Sequence, residues 1–375
     1  MKLTITPEAL TATLAVAQPV IKRSSTLPVL EMVLLEAHTD GGLTISGTDL
    51  ETRAWHTVAA EIHEAGSVCL PPSRLIDFLA AVVADDPITL SVDENHKAEL
   101  RSGTTRARVA GIDAEKFPAG VNSEEPAFDA TFTAGELAAV VGGVLHAVAP
   151  DESRPVLAGV MVKIADGTLT LAAADGYRLS LRTLDVGAPD LTVIAHGKGL
   201  ARIARPLSGA TSARVMVDAR QANLLVDSEV GCWSVRLIEG QFPDFNRIIP
   251  RDPPIAVLFN RDDMLRVLKL VGKIDDTATG YMVRFNVQDG QIEVRAGTPT
   301  SDQEADAVVG ATLERGSGIS IAFNAKYLEQ ALDALDSVRV RLELVKADSP
   351  ALLRLSDGGT ALEVLMPMHI ARGSA

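Results

Sequence analysis

The sequence predicts an α+β chain made of three copies of one unit, each with two helices packed on antiparallel strands. Three observations predict it. An ordered set of four parts (helix, hairpin, second helix, closing strands) recurs three times along 375 residues. Asp-Gly turns between alternating apolar runs stand at matching places, at Asp40-Gly41, Asp166-Gly167 and Asp289-Gly290. The composition, 47% apolar and 22% charged, suits several buried cores and excludes disorder, collagen-like repeats and coiled coil.

In the first unit Leu10, Leu14, Ala17 and Ile21 share one helix face. The hairpin runs from Val29 to Ala37 and from Leu43 to Leu50. Val68 to Pro71 is a short strand feeding a helix with Leu75, Phe78, Leu79 and Val82 inward, and Ile88 to Val92 and Arg106 to Val109 close the unit. The second unit opens at Thr133-Ala134-Gly135-Glu136, a capping-box spacing, with Leu137, Val140, Val141, Val144 and Val148 on its face. Its hairpin is Val156 to Ala165 and Leu169 to Gly176, its second helix carries Leu200, Ile203 and Leu207, and its closing strands begin at Ala213, Asn223 and Trp233. In the third unit Asn260 caps a helix with Met264, Leu265, Leu268 and Val271 inward. A hairpin from Tyr281 to Gly297 follows, then an Asn324-capped helix with Leu328, Ala331, Leu332 and Leu335, then strands at Val338, Leu352 and Leu362. Leu43, Leu169 and Ile292 open corresponding strands at nearly constant spacing, which weighs against three unrelated α+β domains. The polar link Asn122 to Pro126 and the Pro-rich link Pro250 to Pro254 place the domains at 1–124, 127–250 and 254–370.

With 35 Lys and Arg against 49 Asp and Glu, the formal charge is −14, so contact with nucleic acid requires a locally basic surface. Two helix faces supply one. Lys198, Arg202 and Arg205 share a face with no acid between His196 and Leu207. Arg266, Lys269 and Lys273 do the same, with no acid between Met264 and Ile274. A solvated basic face is the common reading of such a pattern, but it leaves the segregation of acids unexplained. Helices that follow a phosphate backbone explain it, through sequence-independent and salt-sensitive contacts.

Chemistry-bearing motifs are missing. The chain has no phosphate-binding Gly-Lys-Ser/Thr loop, no His-Glu-x-x-His and no Cys-x-x-Cys, and its seven His are scattered. Aromatics at 4% speak against a sugar groove or a base-stacking platform. Cys69 and Cys232 are too few for a disulfide framework and fit a reducing compartment. Asp49, Glu51 and Asp175 follow strands at repeated positions, which favours a turn role over catalytic carboxylates. No metal or cofactor is expected. The first residues lack the apolar core of a signal peptide and no run is long enough to span a membrane, so the expectation is a cytoplasmic protein with no membrane partner.

Six segments resemble one known family: Thr26-Leu27-Pro28-Val29-Leu30, Gly47-Thr48-Asp49-Leu50-Glu51, Arg154 to Val160, Ala174-Asp175-Gly176-Tyr177-Arg178-Leu179, Glu239 to Phe245, and Val364-Leu365-Met366-Pro367-Met368. Together they resemble the bacterial DNA polymerase III beta subunit, the β sliding clamp, over Met1 to Ile370. The resemblance implies three DNA-clamp domains per chain and a head-to-tail homodimer closing a six-domain ring around double-stranded DNA. It implies a non-catalytic processivity factor, and it adds Arg23 and Arg154 to the DNA-facing set.

It also implies a groove between the second and third domains for short linear motifs of the polymerase α subunit, the clamp loader δ subunit, translesion polymerases, mismatch repair proteins and ligase. The matching positions are Leu157, Ala174, Gly176, Tyr177, Arg178, Leu179, Pro243, Arg247, Ile248, Asn324, Tyr327, Pro350, Val364, Leu365, Met366, Pro367 and Met368. For ring closure it implies Arg74, Arg106 and Val109 on one side, with Asp302, Glu304 and Asp306 on the other. The chain departs from the family at Ser24, Ser73 and Ala107, and its tail, residues 371 to 375, runs past the usual end. A specialised clamp paralogue from a phage, plasmid or drug-resistance cluster, and an acidic scaffold that never meets DNA, are the competing readings.

Overall fold

The computed structural model describes residues 1–22, 24–83, 86–120, 125–151, 153–271, 282–296 and 305–369. Six α-helices lie among them: α1 (Pro7–Ala17), α2 (Pro72–Leu79), α3 (Ala134–Val144), α4 (Gly197–Leu207), α5 (Arg261–Val271) and α6 (Ala325–Asp333). They are the two helices of each repeat. Packing gathers the chain into two compact bodies, one of Met1–Ala138 with Lys198–Leu237, the other of Ala139–Gly197 with Ile238–Ala375. The central repeat is thus shared between them.

The first body holds two antiparallel sheets. One has five strands in the order Glu61–Glu64, Lys2–Ile5, Ile88–Val92, Lys97–Ser102, Thr105–Ala110. The other has eight, in the order Phe128–Thr133, Ser212–Val217, Asn223–Ser228, Gly231–Arg236, Thr52–Ala59, Gly42–Thr48, Val33–Ala37, Gly66–Leu70. Its middle pairing, Cys232↔Trp55 to Val235↔Thr52, joins the central repeat to the first. Helix α1 starts where Thr6 Oγ1 accepts from Ala9 N–H and Pro7 supplies a pre-set φ. It buries Leu10, Leu14 and Ala17 with Leu35, Ile45 and Phe78. Gly47 permits this packing, because a Cβ there would lie 2.3 Å from the Ala17 carbonyl oxygen.

The second body holds one twelve-stranded sheet. Its central-repeat strands end at Arg178–Asp185, which pairs with Leu362–Leu365 of the third repeat in the register Arg178↔Leu365 to Leu181↔Leu362. The third-repeat core closes around Phe285 and Phe323, edge to face at 5.6 Å.

The Asp-Gly turns form as expected, with positive φ at Gly41, Asp166, Gly167 and Gly290. Two elements differ. Val29 and Val156 do not begin strands. Pro28–Glu31 and Pro155–Ala158 are 3₁₀ turns, and the strands start at Val33 and Gly159. Proline fixes φ near −65° and lacks the N–H a ladder needs, so it opens a turn.

Candidate functional site

The second body contains a groove built around one turn. Asp175 is buried at the end of the strand Thr168–Ala174. Its Oδ1 accepts from the N–H groups of Tyr177 (2.8 Å) and Arg178 (3.0 Å), while Gly176 takes φ +95°. Oδ2 holds Arg178 Nε at 2.9 Å. The guanidinium then donates to Gln330 Oε1 on α6 (2.6 Å) and lies 4.2 Å from the centre of the Tyr327 ring. Asn324 caps α6 by accepting from Tyr327 N–H. The terminal segment is pinned by Met366 N–H to Tyr177 O (2.9 Å) and Met368 N–H to Ala322 O (2.8 Å). Burial, with Asp175 nearby, raises the Tyr327 phenol.

These residues enclose a cavity of about 940 Å³. Of the expected groove set, Tyr177, Arg178, Asn324, Tyr327, Met366, Pro367 and Met368 line it. The others do not. Leu179 and Val364 pair across strands inside a cluster with Phe242 and Phe245, while Leu157 and Leu365 are also buried. Ala174 ends its strand half-buried, and Gly176 serves the turn. Pro350 is half-buried, and Pro243, Arg247 and Ile248 are exposed, with Arg247 held by Asp244 at 3.0 Å. Leu145, His146, Val148, Pro150, Lys326, Gln330 and His369 line the cavity beyond the expected set. The signal for Gln330 was its place one turn beyond Tyr327 on the same helix.

Behind His146 lies a buried ionic network. Glu363, 1% exposed, receives Arg182 Nη2 at 2.7 Å, the Ser180 hydroxyl at 2.8 Å and His146 Nε2 at 3.1 Å. Arg182 also donates to the carbonyls of Leu181 and of Ala334, the residue capping the end of α6. Gly143 leaves the room, since a Cβ there would meet Arg182 Nε at 2.6 Å.

The basic faces are less free than their spacing suggests. Arg202 is half-buried and bonded to Asp49 Oδ2 at 2.6 Å, and Arg266 pairs with Asp263, so each finds an acid outside its acid-free window. Lys198, Arg205 and Lys269 are exposed. Arg154 is exposed and donates to the Asp175 carbonyl. Arg23 and Lys273 lie outside the described residues. Asp49 repeats the Asp175 turn, accepting from the N–H groups of Glu51 and Thr52.

Of the expected closing residues, Arg74 is exposed beside Asp77 (3.5 Å), while Val109 packs into the first-body core. Arg106 joins Arg101 and Arg108 around Glu99, and hydrogen bonds led by Arg106 pull that carboxyl down to about 2. Asp302 and Glu304 lie outside the described residues; Asp306 is exposed. Thr105–Ala110 is a sheet edge. Ala305 to Gly310 bond to Gln291–Ala296 on one side, and the strand pairs with Ile255–Asn260 only from Ala311 onward.

The DNA polymerase III beta subunit family matches in three parts: its N-terminal domain over residues 1–121, its central domain over 131–244 and its C-terminal domain over 246–369. The beta sliding clamp of Pseudomonas aeruginosa is 26% identical over 99% of this chain and 100% of its own length. That of Escherichia coli K12 is 26% identical with the same coverage. The crystal structure of the DNA polymerase III subunit beta from Pseudomonas aeruginosa superposes with a TM-score of 0.90 at 26% identity, over 99% of this chain and 100% of that one.

Proposed function

The chain belongs to the DNA polymerase III beta subunit family, and from that membership we propose that it is a sliding clamp, a ring that encircles duplex DNA and tethers the replicative polymerase. The observation that carries the reading is the match of all three family domains, in order, along one chain. Three domains per chain make a six-domain ring when two copies meet head to tail. The open edge at Thr105–Ala110 with its arginines and the open stretch from Ala305 with Asp306 suit that pairing by charge. Domain limits of 1–124, 127–250 and 254–370 belong to the same reading.

A closed ring holds DNA by topology, so it needs no tight chemical affinity and is free to slide. The exposed Lys198, Arg205 and Lys269 contribute phosphate contacts that do not read bases. The groove at Tyr177, Arg178 and Met366 receives short segments of the polymerase, the clamp loader, repair proteins and ligase. Tethering raises the effective concentration of a bound polymerase at the primer end, and the subunit performs no chemistry itself. It works in the cytoplasm, on the nucleoid. No observation favours a specialised copy.

Primer extension on circular DNA with loader and polymerase tests the reading. Product length should rise severalfold when the protein is added; equal lengths with and without it would refute the clamp function.

A further inference from the structure

Three walls of the groove meet behind it at one carboxylate. Ser180 and Glu363 are directly opposed in the register of Arg178–Asp185 with Leu362–Leu365. Arg178, Ser180 and Arg182 alternate along their strand and so share the face that Glu363 occupies. Glu363 receives His146, on the 3₁₀ turn after α3, at 3.1 Å, and Arg182 at 2.7 Å. Arg182 continues to the Ala334 carbonyl at the end of α6, at 2.8 Å. Met366, on the segment that follows Glu363, lines the groove together with His146 and with Tyr327 of α6.

The centre has little slack. Glu363 is buried, and the His146 ring donates to it through Nε2, which leaves Nδ1 buried without a hydrogen-bond partner among the described residues. A change of tautomer therefore gains no replacement bond. Arg182 matches the buried negative charge with one positive charge and donates further to the Leu181 and Ala334 carbonyls. Helix α6 is thus tied to the strand Arg178–Asp185 near both ends, through Arg178 with Tyr327 and Gln330, and through Arg182 with Ala334. The place of Tyr327 depends on a carboxylate that does not itself line the groove.

We infer that Glu363 is a positioning residue for the groove: it holds His146 on one wall and, through Arg182, α6 on the other, at the separation a partner segment needs. The inference rests on the groove being a docking site for partner segments. Glutamine at this position keeps the shape but turns one acceptor into a donor, so either Arg182 or His146 loses its bond. The guanidinium then lacks a counter-charge, and the walls lose the tie that pre-organises them for binding. The effect travels through a contiguous network of hydrogen bonds, without contact between Glu363 and the ligand.

The test titrates a fluorescent peptide carrying the short linear motif of the polymerase α subunit with the full-length chain, read by anisotropy. Circular dichroism in the same buffer gives the folded fraction, so each Kd refers to folded protein. Glu363→Gln should weaken binding roughly 2- to 30-fold, the range of coupling through such a network. Arg182→Lys keeps the charge without the fork that reaches Ala334, so it should weaken binding while costing less stability than Glu363→Gln. If Glu363→Gln does not fold, Arg182→Lys decides alone. Glu363→Leu with Arg182→Met should regain part of the stability lost in Glu363→Gln but none of the affinity. A Kd equal to wild type in the folded variants overturns the proposal and leaves the groove intact. So does an affinity that recovers in step with stability in the double variant, because the role is then merely structural. If the wild type does not bind the peptide, the groove reading fails and the proposal falls with it.

Discussion

Replacing Glu363 by Gln should destabilise the second body far more than a one-atom change suggests. The carboxylate is 1% exposed and receives three donors, Arg182 at 2.7 Å, Ser180 at 2.8 Å and His146 at 3.1 Å. Arg182 is 8% exposed on its side chain and is also tied to the carbonyls of Leu181 and Ala334. It cannot turn to water without uncapping α6. Glu363→Gln keeps the volume and one acceptor but leaves the guanidinium buried without a counter-charge. Stranding one partner of a buried pair costs about 3–5 kcal/mol, and the remaining acceptor puts the expectation near the low end. Urea unfolding followed by circular dichroism reads the loss. Hydrogen exchange in Arg178–Asp185 and Leu362–Leu365 should rise with it, since those strands pair through Ser180↔Glu363. The triple change Glu363→Leu, Arg182→Met, His146→Phe should recover part of the stability, because an apolar cluster of similar volume needs no counter-charge, while the carbonyls of Leu181 and Ala334 lose the donor that Arg182 supplied. A loss below ~1 kcal/mol for Glu363→Gln would refute the argument, since only a solvated pair is so cheap to break.

Gly47→Ala drives a Cβ to 2.3 Å from the Ala17 carbonyl, and backbone cannot yield as a side chain does; thermal unfolding should show a loss of about 1–3 kcal/mol, and an unchanged midpoint would contradict the close packing. The folded pKa of Glu99 is depressed from 4.5 to about 2, so its contribution is complete above the unfolded value and is lost as pH falls through the folded one. Glu99→Gln should therefore flatten the fall of the unfolding midpoint across that window; a slope identical to wild type counts against the arginine fan. Arg205→Gln and Lys269→Gln should each lower the salt slope of equilibrium binding to short linear duplex, which no ring retains by topology, by roughly 0.9 for every phosphate the side chain had neutralised. Arg202→Gln should lower it less, because Asp49 already neutralises that guanidinium; equal effects at all three positions would show that the ion pair opens on DNA.

Much of the fold was legible because it rests on local rules. Asp-Gly turns, capping residues and apolar faces belong to a few consecutive residues, and the repeat multiplied the signal. The strand Arg178–Asp185 was not legible. Its sequence, RLSLRTLD, alternates apolar residues with Ser180 and Arg182, and those polar positions point into the body rather than to water. Among the described residues the counter-charge for that burial comes from Glu363, at the far end of the chain. The groove was half legible, through the Asp175 turn and the terminal Met366-Pro367-Met368 segment.

By itself, then, the sequence determined the repeat, the helices and hairpins, and the two basic helix faces, since each depends on residues close together in the chain. Tertiary structure decided which charges far apart in the chain neutralise one another and which are left over. Arg202 meets Asp49 and Arg182 meets Glu363 across long stretches of chain, while Lys326 meets no acid among the described residues. A charge acts through space, and its neighbours in space are set by the pairing of strands and helices that no local pattern encodes.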